Sequence, residues 1–205
     1  STLLSCSLED KMIRVWDTAT WTCRRMVDSG HKLGAYCLAA HAGMVYCGGQ
    51  GVIGAHACTV RVFDPSTWEC VDVLRGHTDG VWRLLVWQDR LITASFNDTI
   101  KVWSTGATPR QCEHTLHGHT SAVASLAVCG DKLVSCSRDN SIRVWSTETW
   151  ACERVLQEGH HTDAVWALLC ARDEESLISG SHDRTLISGG HDRTMRVWRD
   201  PTRGA

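Results

Sequence analysis

The chain has 205 residues, 43% of them hydrophobic and 21% charged, and a formal net charge of −2. That is the composition of a globular protein, either one domain of ordinary size or a piece of a larger one. The charge balance leaves no basic footprint for a phosphate backbone, and the apolar stretch "VWRLLVW" is broken by Arg83, well short of membrane-spanning length. Neither nucleic acid nor a membrane is therefore an expected partner.

In chain order, the same phrase recurs. "TLLSCSLEDKMIRVW" runs from Thr2 to Trp16: two short runs of β-type residues around a polar turn, the second ending on tryptophan. Gly30-His31 opens a looser copy, "GMVYCGG…CTVRVF", which ends at Phe63, carries the insertion "QGVIGAHA" and has no aspartate in its turn. Gly76-His77 opens the next, with "RLITASFNDTIKVW" from Arg90 to Trp103. Gly118-His119 precedes "AVASLAV" (Ala122 to Val128), then "KLVSCSRDNSIRVW" (Lys132 to Trp145) and "CERVL". Gly159-His160 precedes the last copy, "SLISGSHDRT…TMRVW", which ends at Trp198. The terminal aromatics are spaced by 47, 40, 42 and 53 residues, and the stretches from His77 to Trp103 and from His119 to Trp145 are both 26 residues. Each run is short, β-branched and bounded by Gly, Asp, Asn or Ser, and helical spacing is absent. The expected fold is all-β, with four-stranded antiparallel sheets stacked face to face because none can bury both faces alone.

The cysteines follow the repeat. Cys23, Cys70, Cys112 and Cys152 share one slot, Cys6, Cys47 and Cys136 a second, and Cys129 and Cys170 a third. Single cysteines in strand-like runs read as small buried side chains, so reduced thiols and a cytoplasmic (or nuclear) location are expected. No CxxC pair or Cys/His metal spacing occurs, and neither a metal nor another cofactor is expected.

A Gly-His opening and a tryptophan closing at a period of roughly 40–45 residues resemble the WD-repeat family. "GHTSAVASLAVCGDKLVSCSRDNSIRVWS" is the closest stretch, and the likeness extends over nearly the whole chain. The resemblance implies a β-propeller and, in each well-formed blade, a buried hydrogen-bond set: His119, Ser135, Asp139 and Trp145 in the fourth unit. In the third unit the set is His77, Thr93, Asn97 and Trp103, expected to be weaker because Asn97 carries no charge. In the last unit it includes Asp192 and Trp198. The second unit is expected to be the least regular.

The resemblance also implies a docking platform for proteins or peptides, with no small-molecule substrate. Its informative rim positions would be the residue before the turn aspartate (Glu9, Phe96, Arg138, and His191 or its twin His182) and the residue after the first valine of the leading strand (Tyr36, Trp82, Ala124, Trp166). Tyr36, Trp82, Phe96, Arg138, Trp166 and His191 form the candidate partner-binding rim. Rim arginines reading a phosphorylated peptide, as in substrate receptors of ubiquitin ligases, are an alternative, although only Arg138 fills that slot. A propeller enzyme, a hydrolase or lyase, is the runner-up from another class; it would need a non-repeating acid/base or metal cluster, and the sequence contains none.

The expected division is a partial blade over 1–29, blades over 30–75, 76–117 and 118–158, a partial blade over 159–200, and a tail over 201–205. At roughly 43 residues per blade, the chain falls short of the ring usual in that family. It is expected to be part of a longer propeller or a truncated product, with a closed ring of these units as the alternative. In the last unit "LISGSHDRT" (Leu177 to Thr185) is followed at once by "LISGGHDRT" (Leu186 to Thr194). Either the first copy bulges as a loop, leaving Trp198 in its repeat slot, or both copies are strands with Met195 to Trp198 outermost. The first arrangement is preferred here.

Overall fold

The computed structural model describes residues 1–51, 58–106, 109–156, 161–170 and 177–183, together with the backbone of the strands Thr185–Gly189 and Met195–Arg199. Every regular element among the described residues is a β-strand. The chain divides into two compact units, residues 1–97 with 101–115, and residues 98–100 with 116–205.

The first unit holds three antiparallel meanders. One has three strands, β1 (Thr2–Cys6), β2 (Met12–Asp17) and β3 (Cys23–Asp28). The second has β4 (Gly34–His41), β5 (Met44–Gln50), β6 (Thr59–Phe63) and β7 (Cys70–Arg75). The third has β8 (Val81–Trp87), β9 (Arg90–Ser95), β10 (Ile100–Ser104) and β11 (Cys112–Leu116). The second unit has two sheets of four: β12 (Val123–Cys129), β13 (Lys132–Ser137), β14 (Ile142–Ser146) and β15 (Cys152–Leu156), then β16 (Val165–Cys170), β17 (Leu177–Ser181), β18 (Thr185–Gly189) and β19 (Met195–Arg199).

Burial explains the residue types. The second strands β5, β9 and β13 are buried on both faces, so they read as nearly unbroken apolar or small residues. The middle strand of the first sheet, β2, alternates partly buried and buried, and the outer strands β3 and β15 are mostly exposed. Ile13, Val45 and Phe63 share one core cluster of the first unit, and Tyr46, Val62, Leu84 and Trp103 share another. In the second unit Val134, Cys136, Val165 and Leu168 form the core.

The turns repeat as strictly as the strands. Lys11, Asp98 and Asn140 occupy one slot, each with φ between +62° and +67°. Trp21, Trp68 and Trp150 occupy another, with φ of +56° to +63°. A tryptophan is an uncommon left-handed residue. Each is held there by its own N–H, which donates four residues back to the carbonyl of Asp17, Asp64 or Ser146 at 2.6–2.9 Å. The Gly-His glycine has a mechanical reason too: Gly118 sits at φ +154°, and a Cβ there would lie 2.7 Å from the Arg143 guanidinium.

Two expectations are corrected in the second unit. The duplicated segments lie in one ladder, Ile178 opposite Ser188 and Ser179 opposite Ile187, and β18 then pairs with β19, Leu186 opposite Trp198. The last sheet therefore has four strands rather than three, and Trp198 stands in the outermost strand, not in the repeat slot beside the second strand. Looping out the first copy would leave its backbone groups without a ladder, whereas in the meander Leu177 to Gly180 pair with β18 on one side and Leu177 to Ser181 with β16 on the other. The second correction concerns sulfur: Cys129 and Cys170, at the ends of β12 and β16, form a disulfide with a Cα–Cα distance of 5.6 Å, while the other cysteines are free thiols. The shared slot at the end of each leading strand places the two sulfurs side by side on neighbouring sheets.

Candidate interaction surface

The buried polar sets are best formed in the fourth sheet. His119 lies 2.8 Å from Asp139 Oδ2 through Nδ1 and 2.8 Å from Ser135 Oγ through Nε2. A carboxylate can only accept, so Nδ1 carries the proton, Nε2 accepts from the serine hydroxyl, and the serine oxygen accepts Trp145 Nε1–H at 2.8 Å. Burial alone would raise the Asp139 pKa. Hydrogen bonds from His119, Ser141 and the Thr120 N–H outweigh it and hold the carboxyl below the usual range. Despite its Ser-His-Asp composition the set is no nucleophile: Ser135 is 0% exposed and its oxygen is already engaged by the indole.

The third sheet repeats the set with Thr93, which meets His77 Nε2 at 2.7 Å and Trp103 Nε1 at 3.0 Å. His77 Nδ1 reaches Asn97 only at 3.3 Å, and burial pushes this imidazole down to about 3. In the second sheet Cys47 takes the hydroxyl slot, one residue before the slot of Cys6 and Cys136 that the sequence suggested, and His31 Nε2 donates to its carbonyl at 3.1 Å instead. In the first sheet Trp16 donates to Ser5 Oγ at 2.8 Å, an exchange the repeat pattern could have predicted. The last sheet uses His161, Ser179 and Asp183, with His161 Nε2 2.9 Å from Ser179 and Nδ1 3.1 Å from Asp183. It draws on the first duplicated copy; Asp192 and His191 lie outside the described residues.

The candidate rim is built by a β-bulge. In every leading strand the pairing skips one residue: between Ala35 and Cys37, Val81 and Arg83, Val123 and Ser125, and Val165 and Ala167. The skipped residues are Tyr36, Trp82, Ala124 and Trp166, the four that the repeat placed in one slot. A bulge re-aims its side chain and frees it from the ladder. The other rim slot is clamped beside it. Phe96, Arg138 and His182 each donate a backbone N–H to the residue two before the bulge, Gly80, Ala122 or Ala164, all at 3.0 Å. His182 therefore fills the fifth sheet's slot, exposed, with Nδ1 3.4 Å from Asp163.

Three rim residues of the first unit meet. Tyr36 and Trp82 have ring centroids 5.1 Å apart, Trp82 and Phe96 5.0 Å, and Tyr36 and Phe96 6.3 Å, all mutually inclined. Gly80 lies beneath them; a Cβ there would come within 3.1 Å of Tyr36 and 3.2 Å of Phe96. The Tyr36 hydroxyl donates to Gln50, whose amide reaches Asp79 Oδ1 at 3.4 Å, and burial with the nearby Asp79 charge pushes the phenol pKa up. In the second unit the exposed Arg138 guanidinium stands 5.6 Å over the Trp166 ring, itself 39% exposed. Ala124, by contrast, is buried in the core and offers no surface. Sequence reasoning missed Leu8 and Leu33, exposed beside this face of the first unit: Leu8 lies against Gly34, and the Leu33 N–H donates to Gln50. Glu9 is exposed on the same turn as Leu8.

The model for "WD domain, G-beta repeat" matches residues 68–104, 110–146 and 150–187, more than half of the chain. An uncharacterized WD repeat-containing protein of Schizosaccharomyces pombe is 39% identical over 44 residues, 22% of this chain and 12% of that protein. A chain in the crystal structure of a mitotic checkpoint complex superposes with a TM-score of 0.81 at 16% identity, covering 98% of this chain and 61% of that one. This chain thus spans only part of either relative. The repeats and the fold together are those of a protein-interaction scaffold in general.

Proposed function

Because this chain belongs to the WD-repeat family, we propose that it docks protein or peptide partners, in either unit taken by itself, on the face that carries the bulged residues of its leading strands. The observation that carries the reading is the recurrence of the bulge, which turns Tyr36, Trp82 and Trp166 out of their ladders beside Phe96, Arg138 and His182. Aromatic and arginine side chains are the residues that dominate protein interfaces. The reading is one of binding rather than turnover: among the described residues the recurring Ser-His-Asp set is buried scaffold. Proteins rather than nucleic acid or lipid are the expected partners, in the cytoplasm or nucleus.

The test is quantitative affinity capture with Trp82→Ala, Arg138→Glu and Trp166→Ala against Glu69→Ala, an exposed residue on a turn at the other end of the strands. Partners lost with the first three and kept by the control support the assignment. Capture indifferent to all three substitutions rejects it.

A further inference from the structure

Resting on that docking reading, we propose that the Tyr36–Trp82–Phe96 cluster together with Asp79 receives an arginine side chain of the partner. Asp79 is fixed from below: its Oδ1 accepts the Gly80 N–H at 2.6 Å and the Gln50 amide at 3.4 Å. Elsewhere in the molecule Asp10, Asp17, Asp72 and Glu113 each meet an arginine. Among the described residues no cation forms an ion pair with Asp79. A partly exposed carboxylate with no ion-pair partner among the described residues is therefore linked through Gln50 to Tyr36, one of three partly exposed rings in mutual contact.

Ring faces are electrostatically negative and attract a cation, so rings and carboxylate pull the same way. Of the two basic side chains arginine fits better. Its guanidinium is weakly hydrated, stacks flat on rings and still presents N–H groups at its edge for a carboxylate, while its methylene stem covers apolar surface. The molecule contains this arrangement already. Arg110 stands 5.7 Å over the Tyr46 ring with Nη1 3.2 Å from Asp72, an aromatic ring and a carboxylate holding one guanidinium in the same unit. The rim cluster has the ring and carboxylate components of that site without its cation.

The experiment is selection of a random peptide library displayed on phage against the whole chain. It is followed by binding of each selected peptide with its arginine intact or replaced by citrulline, which keeps the shape and removes the charge. The expected result is a dominant arginine position. Citrulline should weaken binding to the wild type at least tenfold but change it little in Asp79→Asn, which keeps the Oδ1 acceptor for Gly80. The citrulline comparison on the wild type needs no variant and stands if Asp79→Asn fails to fold. Selected peptides that depend on Trp82 but carry no arginine overturn this proposal and leave the docking face intact, as does arginine dependence insensitive to Asp79→Asn. Selection that yields nothing, or is unmoved by both Tyr36→Ala and Trp82→Ala, overturns the docking face as well.

Discussion

Ser135→Ala is the sharpest perturbation of the scaffold. It removes the single oxygen that serves both Trp145 Nε1–H and His119 Nε2, at a residue 0% exposed with Trp145 2% exposed above it. The lost hydroxyl leaves too little room for a water to replace it. Two buried polar groups are stranded, at about 1–3 kcal/mol each, so the fold loses about 2–6 kcal/mol. With an m-value of about 2 kcal/mol/M in urea, the unfolding midpoint falls by roughly 1–3 M. Ser135→Thr supplies the oxygen again, as Thr93 does in the third sheet, at the cost of packing one methyl group, about 1 kcal/mol. Urea unfolding followed by tryptophan fluorescence and far-UV circular dichroism gives the ranking: wild type, then threonine, then alanine. An alanine variant within 0.5 kcal/mol of the wild type, or a threonine variant worse than alanine, would refute the shared-oxygen account (0.5 kcal/mol being about the scatter of neutral substitutions).

Further outcomes follow from the same geometry. Burial lowers the His77 pKa from 6.5 to about 3, so the unfolded chain binds a proton that the folded chain refuses. Stability is therefore complete above pH 6.5 and falls as the pH drops toward 3, by about 1.4 kcal/mol per unit. His77→Gln should flatten that window in a pH series of urea midpoints; an unchanged slope refutes it. The Asp139 carboxyl, held below its ordinary range, contributes stability that is lost only at more acid pH, below the ordinary carboxylate pKa. The Cys129–Cys170 disulfide closes a sequence separation of 41, about 4 kcal/mol of chain entropy. Thiol titration of the denatured, unreduced chain should find nine thiols, rising to eleven after dithiothreitol, with a fall in the unfolding midpoint; eleven before reduction would remove the bridge.

Strand positions, turn slots and the His119–Ser135–Asp139–Trp145 set were legible because each depends on local rules. A short β-branched run makes a strand, a polar pair makes the turn, and a buried indole needs a nearby acceptor. The rim slots were legible as positions, since Tyr36, Trp82 and Trp166 follow the first hydrophobic residue of every leading strand. The bulge that frees them was not, because a skipped rung exists only between two strands. His182 in place of His191 and the pairing of β17 with β18 were equally hidden: two copies of "LISG" have the same local preference, and only the ladder chooses between them.

The repeat, its all-β character and the buried polar sets of the third and fourth sheets could be read from the chain, because all of these come from interactions within a few residues or within one sheet. Packing between sheets and the choice of strand partner decided the rest: the meeting of Tyr36, Trp82 and Phe96, the stacking of Arg138 on Trp166, the Cys129–Cys170 bridge and the fourth strand of the last sheet. The first three join residues 14 to 60 positions apart, and the last turns on which of two nearly identical segments pairs; no pattern along the chain specifies either.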